Sequence, residues 1–237
     1  MDGQTRVALR NAWLVCGILS SLLYAGMTVL VPTQWPGYDS TSQVVSELSA
    51  VGAPTRSLWM ALGFLYTLLV TAFGWGVWQA AEDDRRLQVT GILIVTYGAL
   101  GLVWPFAPMH LHEDLAAGGG TFTDTLHIIL GLTTQLIYLL ALGFAASALG
   151  RALRLYSAVT FVALLSFGVM MGREAPGVAA NQPTPLIGVW ERLDIGVFLL
   201  WMIVLATKLL TRGRLGTAKV PHRVARPGDG PMVLGHS

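Results

Sequence analysis

The sequence predicts an all-α, polytopic membrane protein: six transmembrane helices, with a short amphipathic helix in the first outer loop. Three observations carry this. Hydrophobic residues make up 54% of the 237 positions and charged ones only 12%, whereas a soluble domain carries about 25% charged. Six stretches, 9–31, 58–80, 89–108, 126–149, 155–172 and 189–210, are apolar over nearly their whole length, and about 20 such residues cross the hydrocarbon of a bilayer as a helix. The runs are apolar all round, without the alternation of barrel strands. With a mean hydropathy of +0.60, an ordinary soluble domain, a disordered chain and a nucleic-acid binder are excluded. The single Cys excludes a disulfide framework and a CxxC metal module.

The first span follows Arg6 and Arg10 as a signal peptide would, but its apolar run is too long for one, so it is expected to be retained. Cys16 lies within it, where apolar surroundings keep a thiol protonated and inert. In the loop that follows, Ser40-Thr41-Ser42-Gln43 fits a capping box, with Val44, Leu48 and Val51 as an apolar stripe and Gly52 and Pro54 as the stop. This element is expected to lie on the outer leaflet with its polar side wet; the alternative is a lid that turns Ser46 and Glu47 inward. Ala72 and Gly76 in the second span, Gly98 and Gly101 in the third, and Gly143 and Ser147 in the fourth are small-residue pairs suited to close helix packing. Pro183-Thr184-Pro185 leads into the sixth span. Two regions result: a helical domain, 1–210, and a basic tail, 211–237, expected to be disordered and attracted to anionic lipid. No internal repeat supports an inverted-repeat transporter.

Lys and Arg orient the bundle. With both termini in the cytoplasm, 12 of the 15 basic residues fall inside and only Arg56, Arg173 and Arg192 outside. The outer end then collects the chemistry-bearing residues. Polar groups dipping into a membrane are costly and are candidates for function.

The second outer loop holds His110, His112, Glu113 and Asp114, then Asp124 and His127 one turn apart at the head of the fourth span. Gly131, Thr134, Gln135 and Tyr138 continue that face as a polar seam. His110, His112, Asp124 and His127 together could supply the N and O ligands of a divalent metal such as zinc. Equally, Asp124 can cap the helix and pair with His127 while the other histidines are merely wet. At the head of the sixth span, Glu191 and Asp194 share a face and Gly188, Arg192 and Gly196 the adjacent one. Arg192 is a cation at the positive end of a helix dipole, so it needs an anion; an internal salt bridge is the first expectation, and a lipid phosphate or a small anionic ligand the second.

Val45-Ser46-Glu47-Leu48-Ser49-Ala50, followed by Gly52-Ala53-Pro54-Thr55-Arg56, resembles the opening signature of the bacterial membrane family known as domain of unknown function 998. The likeness continues through Trp104-Pro105, Met109-His110, Thr123-Asp124 with His127, and Pro183-Thr184-Pro185 leading into Gly188-Val189-Trp190-Glu191-Arg192. The Ser-Glu-Leu segment is also distantly similar to six-span proteins of the Frag1/DRAM type. The resemblance implies a six-helix inner-membrane protein and carries no activity.

Three functions compete. One is an accessory or lipid- or small-ligand-binding protein with an extracytoplasmic pocket lined by Ser46, Glu47, Asp124, His127, Glu191, Arg192 and Asp194. A second is a metal-dependent hydrolase acting on a lipid headgroup, with Glu47 or Glu191 as base. The third is a transporter using the Asp124–Tyr138 seam. The first is preferred.

Overall fold

Six helices are long and apolar enough to cross a membrane, at the places the hydropathy marks. The structure is a computed structural model that describes residues 2–180 and 182–218. In chain order the helices are α1 Gly3–Leu30, α2 Arg56–Ala80, α3 Arg85–Leu100, the five-residue α4 His112–Ala116, α5 Phe122–Ala148, α6 Arg151–Ala179 and α7 Ile187–Ala218. All but α4 are spans, so the chain is a multi-pass membrane protein. Among the described residues there is no strand, only an isolated bridge between Val51 and His110.

Local chemistry sets the helix ends. The Asp2 carboxylate accepts the Thr5 amide at 2.8 Å and starts α1, and Asp84 accepts the Arg86 and Leu87 amides to start α3. Thr121 and Asp124 form a reciprocal capping box on α5. Gly150, at φ +90°, makes the tight turn from α5 into α6 that a residue with a Cβ would resist.

Two helices run past their expected ends. The apolar run of α6 stops near 172, yet the helix continues to Ala179 because Glu174 is employed at its end: its carboxylate accepts the Leu186 amide and the Trp190 indole N–H, both at 3.0 Å. That contact ties the end of α6 to the start of α7. The last helix continues to Ala218, so the expected tail begins within a helix; its residues from 219 to 237 lie outside those described.

Each span packs on the next in the chain, and α7 returns to α1, closing a ring. The axis of the ring is filled. Phe73, Trp201, Met202 and Leu205 are fully buried there, with Tyr66, Tyr97, Tyr138 and Phe198 beside them. The outward faces carry Leu22, Phe64, Leu68, Leu155, Val159 and Val162 exposed, as lipid-facing surface requires.

Glycine permits the tightest approach, between α2 and α3. A Cβ at Gly74 would stand 2.6 Å from the Val95 amide nitrogen, and one at Gly91 2.6 Å from that of Trp78. The expected pairs divide: Gly76, Gly98 and Gly101 are close-contact sites, against Trp13, Thr71 and Thr67, whereas Gly143 has nothing within 4 Å. Gly91→Ala is therefore expected to cost about 1–3 kcal/mol through forced separation of two backbones. Gly143→Ala, with open space for the methyl, should instead leave stability unchanged or raise it by up to about 1 kcal/mol. Thermal unfolding in one detergent compares the two.

Candidate functional site

The loop joining α1 to α2 does not lie wet on a membrane surface. It folds back onto the end of the bundle. A Val45–Ser49 turn of 3-10 helix, with no side-chain cap, replaces the expected amphipathic α-helix, and the turn before it is held by Asp39 rather than Ser40. The Asp39 carboxylate accepts the Thr41 amide at 2.9 Å and the Thr41 and Ser42 hydroxyls, which together hold it below the usual carboxylate range. Gln43 does reach back, but its Oε1 accepts the Asp39 amide at 2.8 Å.

Burial decides which face turns inward. Val45, Glu47 and Leu48 are each at most 1% exposed, while Val51, assigned to the apolar stripe, is 40% exposed. The lid arrangement is therefore the one adopted, and the wet-helix expectation is corrected. Two adjacent residues of the last helix hold the lid. Arg192 Nη1 donates to the carbonyls of Ser40 at 2.8 Å, Gln43 at 3.2 Å and Gly188 at 2.9 Å, and Nη2 donates to the Tyr38 hydroxyl at 2.8 Å. That hydroxyl in turn donates to the Val44 carbonyl at 2.8 Å, and the guanidinium lies 5.7 Å from the Tyr38 ring centre. Burial pushes the Tyr38 phenol up to about 12, despite the Arg192 charge beside it. Glu191 accepts the Val45 amide and stands 3.5 Å from Ser46 Oγ. Further ties run from the Gly188 amide to the Thr41 carbonyl at 3.0 Å and from the Thr184 hydroxyl to the Ser42 carbonyl at 3.2 Å.

The expected salt bridge of Arg192 is thus absent. Among the described residues the one ion pair within 4 Å is His110–Asp124, and Arg192 is satisfied by neutral oxygens. The physical reason is directional. Glu191, its chain neighbour, points at a different stretch of the lid, and Asp194 points across to α5, where Gln135 Nε2 donates to it at 3.1 Å. Glu191 and Asp194 therefore serve different neighbours despite their shared helix face, and Gly196 has open space beside it.

Glu47 sits beneath the lid. Gln43 Nε2 donates to its Oε2 at 2.7 Å, and His112 is within electrostatic range. Burial raises its carboxyl above 4.5, an effect that the Gln43 bond and His112 partly offset. A raised acid stabilises the fold fully below the unfolded value. That contribution is lost as pH climbs through the folded value, because the unfolded chain ionises first.

The histidines of the second loop form a separate, adjoining cluster. Asp124 accepts the His110 amide at 2.7 Å and meets its Nδ1 at 2.9 Å while also capping α5. His127 does not pair with Asp124; its Nδ1 meets the Ala107 carbonyl at 2.9 Å, and its ring lies edge-on to Trp104, 4.8 Å between centres. His112 opens α4 on the side of Glu47. Among the described residues, no three His, Cys, Asp or Glu side chains are placed to hold a metal, so His110, His112, Asp124 and His127 do not converge as a ligand set. The two clusters are joined through the first loop, where the Val51 amide donates to the Met109 carbonyl at 2.8 Å and Val44, Ala50, Ala53, Met109 and Ile187 pack together.

Along the expected seam, Gln135 engages Asp194 while Thr134 Oγ1 is buried without a partner among the described residues. Sequence reasoning missed Tyr38, an isolated loop residue, and the partners of Gln43 and Glu174. It also missed Tyr66 and Tyr97, whose hydroxyls meet at 2.7 Å inside the bundle. Tyrosines inside apolar spans were the available signal for that pair, since a buried phenol needs a partner.

A family model described as "Protein of unknown function (DUF998)" matches residues 18–208. No curated protein and no solved structure matches the chain.

Proposed function

The chain belongs to the DUF998 family, whose description carries no activity, and from that premise we propose an accessory protein of a bacterial inner membrane, both termini cytoplasmic, that holds a lipid headgroup or small anionic ligand under the lid at its outer end without turning it over. The observation that carries this is Glu47, a carboxyl 1% exposed on a segment held to the last helix by hydrogen bonds. Burying an acid costs stability, and an apolar residue would serve a purely structural lid at least as well. Arg192 adds a cation with no carboxylate at ion-pair distance among the described residues. A headgroup with a phosphate and an amine suits Arg192 and Glu47 together.

The hydrolase reading has less support. Ser46 is approached by a carboxylate that already accepts a backbone amide, rather than by an imidazole base, and the histidines lack a common focus. Transport has less support still, because Phe198, Trp201 and Met202 fill the axis at 0–1% exposure.

Glu47→Gln tests the proposal. Unfolding midpoints from about pH 4 to pH 8 should fall with rising pH for the wild type and fall less steeply for the variant, which keeps the shape but cannot ionise at this position. Native mass spectrometry of the same samples should show co-purified lipid or small molecule retained by the wild type and reduced in the variant. Equal retention in a folded variant with a shallower pH slope would overturn the ligand role of Glu47.

A further inference from the structure

The opposite end of the bundle holds a second feature that the lid does not explain. Arg6, Val7, Leu9, Arg10 and Trp13 on α1, with Gln79 near the end of α2, line a cleft of about 410 Å³. The two arginines are one helical turn apart, a like-charge spacing that by itself weakens a helix. Neither has a carboxylate within 4 Å among the described residues. Arg10 Nε is moreover buried without a hydrogen-bond partner among the described residues, a state that costs free energy unless another group accepts that proton. Asp84 of the α2–α3 turn is committed to the amides of Arg86 and Leu87.

From this we infer that the Arg6–Arg10–Trp13–Gln79 cleft is a binding site for the phosphate headgroup of an anionic phospholipid. A guanidinium is the donor that best matches phosphate oxygens, and Arg10 Nε, without a partner among the described residues, gains its acceptor. Trp13, together with the stacked pair Trp75 and Trp78 whose centres lie 4.9 Å apart, gives this end the aromatic belt that marks a headgroup boundary. Lipid is favoured over free phosphate by what adjoins the cleft. Leu9, Val15, Leu19 and Leu22 on the same helix are exposed, an apolar surface that acyl chains cover and a soluble anion has no use for.

The test uses the full chain in detergent, with graded delipidation followed by native mass spectrometry after exchange into phosphatidylglycerol or phosphatidylcholine. The wild type should keep phosphatidylglycerol over phosphatidylcholine. Arg10→Gln should lower that preference about five-fold, the effect of one cation at an anionic surface. Arg10→Lys separates a built site from general charge: it keeps the cation but removes Nε, and should lose most of the preference. Arg85→Gln, exposed at the head of α3 and outside the cleft, should leave it unchanged. Equal retention of the two lipids, an Arg85→Gln loss matching that of Arg10→Gln, or full protection by inorganic phosphate alone would each overturn the assignment.

Discussion

Arg192→Ala is expected to destabilise the protein by about 2–4 kcal/mol, because several partly buried neutral oxygens lose their charged donor together. The substitution strips a donor from the carbonyls of Ser40, Gln43 and Gly188 and from the Tyr38 hydroxyl at once. Each bond to a charged donor is worth about 1.5–3 kcal/mol, but four on one group do not add, because water replaces part of what is lost. A cation in the first turns of a helix opposes the dipole, so Arg192 is unfavourable for the last helix taken alone. The carbonyls of the lid offset that cost. Arg192→Lys keeps the charge without the planar fork and should recover about half of the loss. Chemical unfolding in detergent measures both variants, and hydrogen exchange at the amides of residues 40–50 locates the damage. A loss below about 1 kcal/mol for Arg192→Ala would mean that the lid is seated by Val45 and Leu48 rather than by the guanidinium.

The six spans were legible because hydrophobicity is summed over some 20 residues, and no tertiary contact is needed to read it. Their ends were less so. Arg173 and Glu174 look like a loop by charge, yet they continue α6, since charged side chains at a helix end meet polar partners rather than lipid. At the candidate site, residue types were legible and partners were not. Arg192 was marked as needing an anion, but its acceptors are neutral and two of them lie about 150 positions away on backbone carbonyls, which carry no sequence signal. The same limit separates His127 from Asp124. One helical turn predicts a pair, but the Ala107 carbonyl, supplied by the preceding loop, takes the imidazole instead. The lid was misread because its stripe was counted at α-helical period. A 3-10 turn rotates its side chains differently, which brings Glu47 inward, and it ends at Ser49, before Val51.

Gly188→Ala is expected to release the lid while leaving every charge in place. A Cβ there would stand 2.6 Å from the Ser40 carbonyl oxygen and closer still to that of Gln43, with Arg192 Nη1 at 2.9 Å. Two of those three neighbours are backbone, so no rotamer change relieves the clash, and residues 40–43 must lift from the last helix. Overpacking of this kind costs about 1–3 kcal/mol. Alanine returns up to about 1 kcal/mol through its better helix propensity, so the net loss should be about 1–2 kcal/mol. The two contributions act in different places, which makes the result diagnostic. Exchange at amides 40–50 should accelerate about ten-fold while the helices keep their protection, because the clash opens one local segment. The double variant with Arg192→Ala should lose less than the sum of the single losses, since a lid already lifted has little left to lose at the guanidinium. Simple additivity would instead mean that Gly188 and Arg192 act on separate structures, and a net gain in stability for Gly188→Ala alone would mean that the lid does not rest on this turn of the helix.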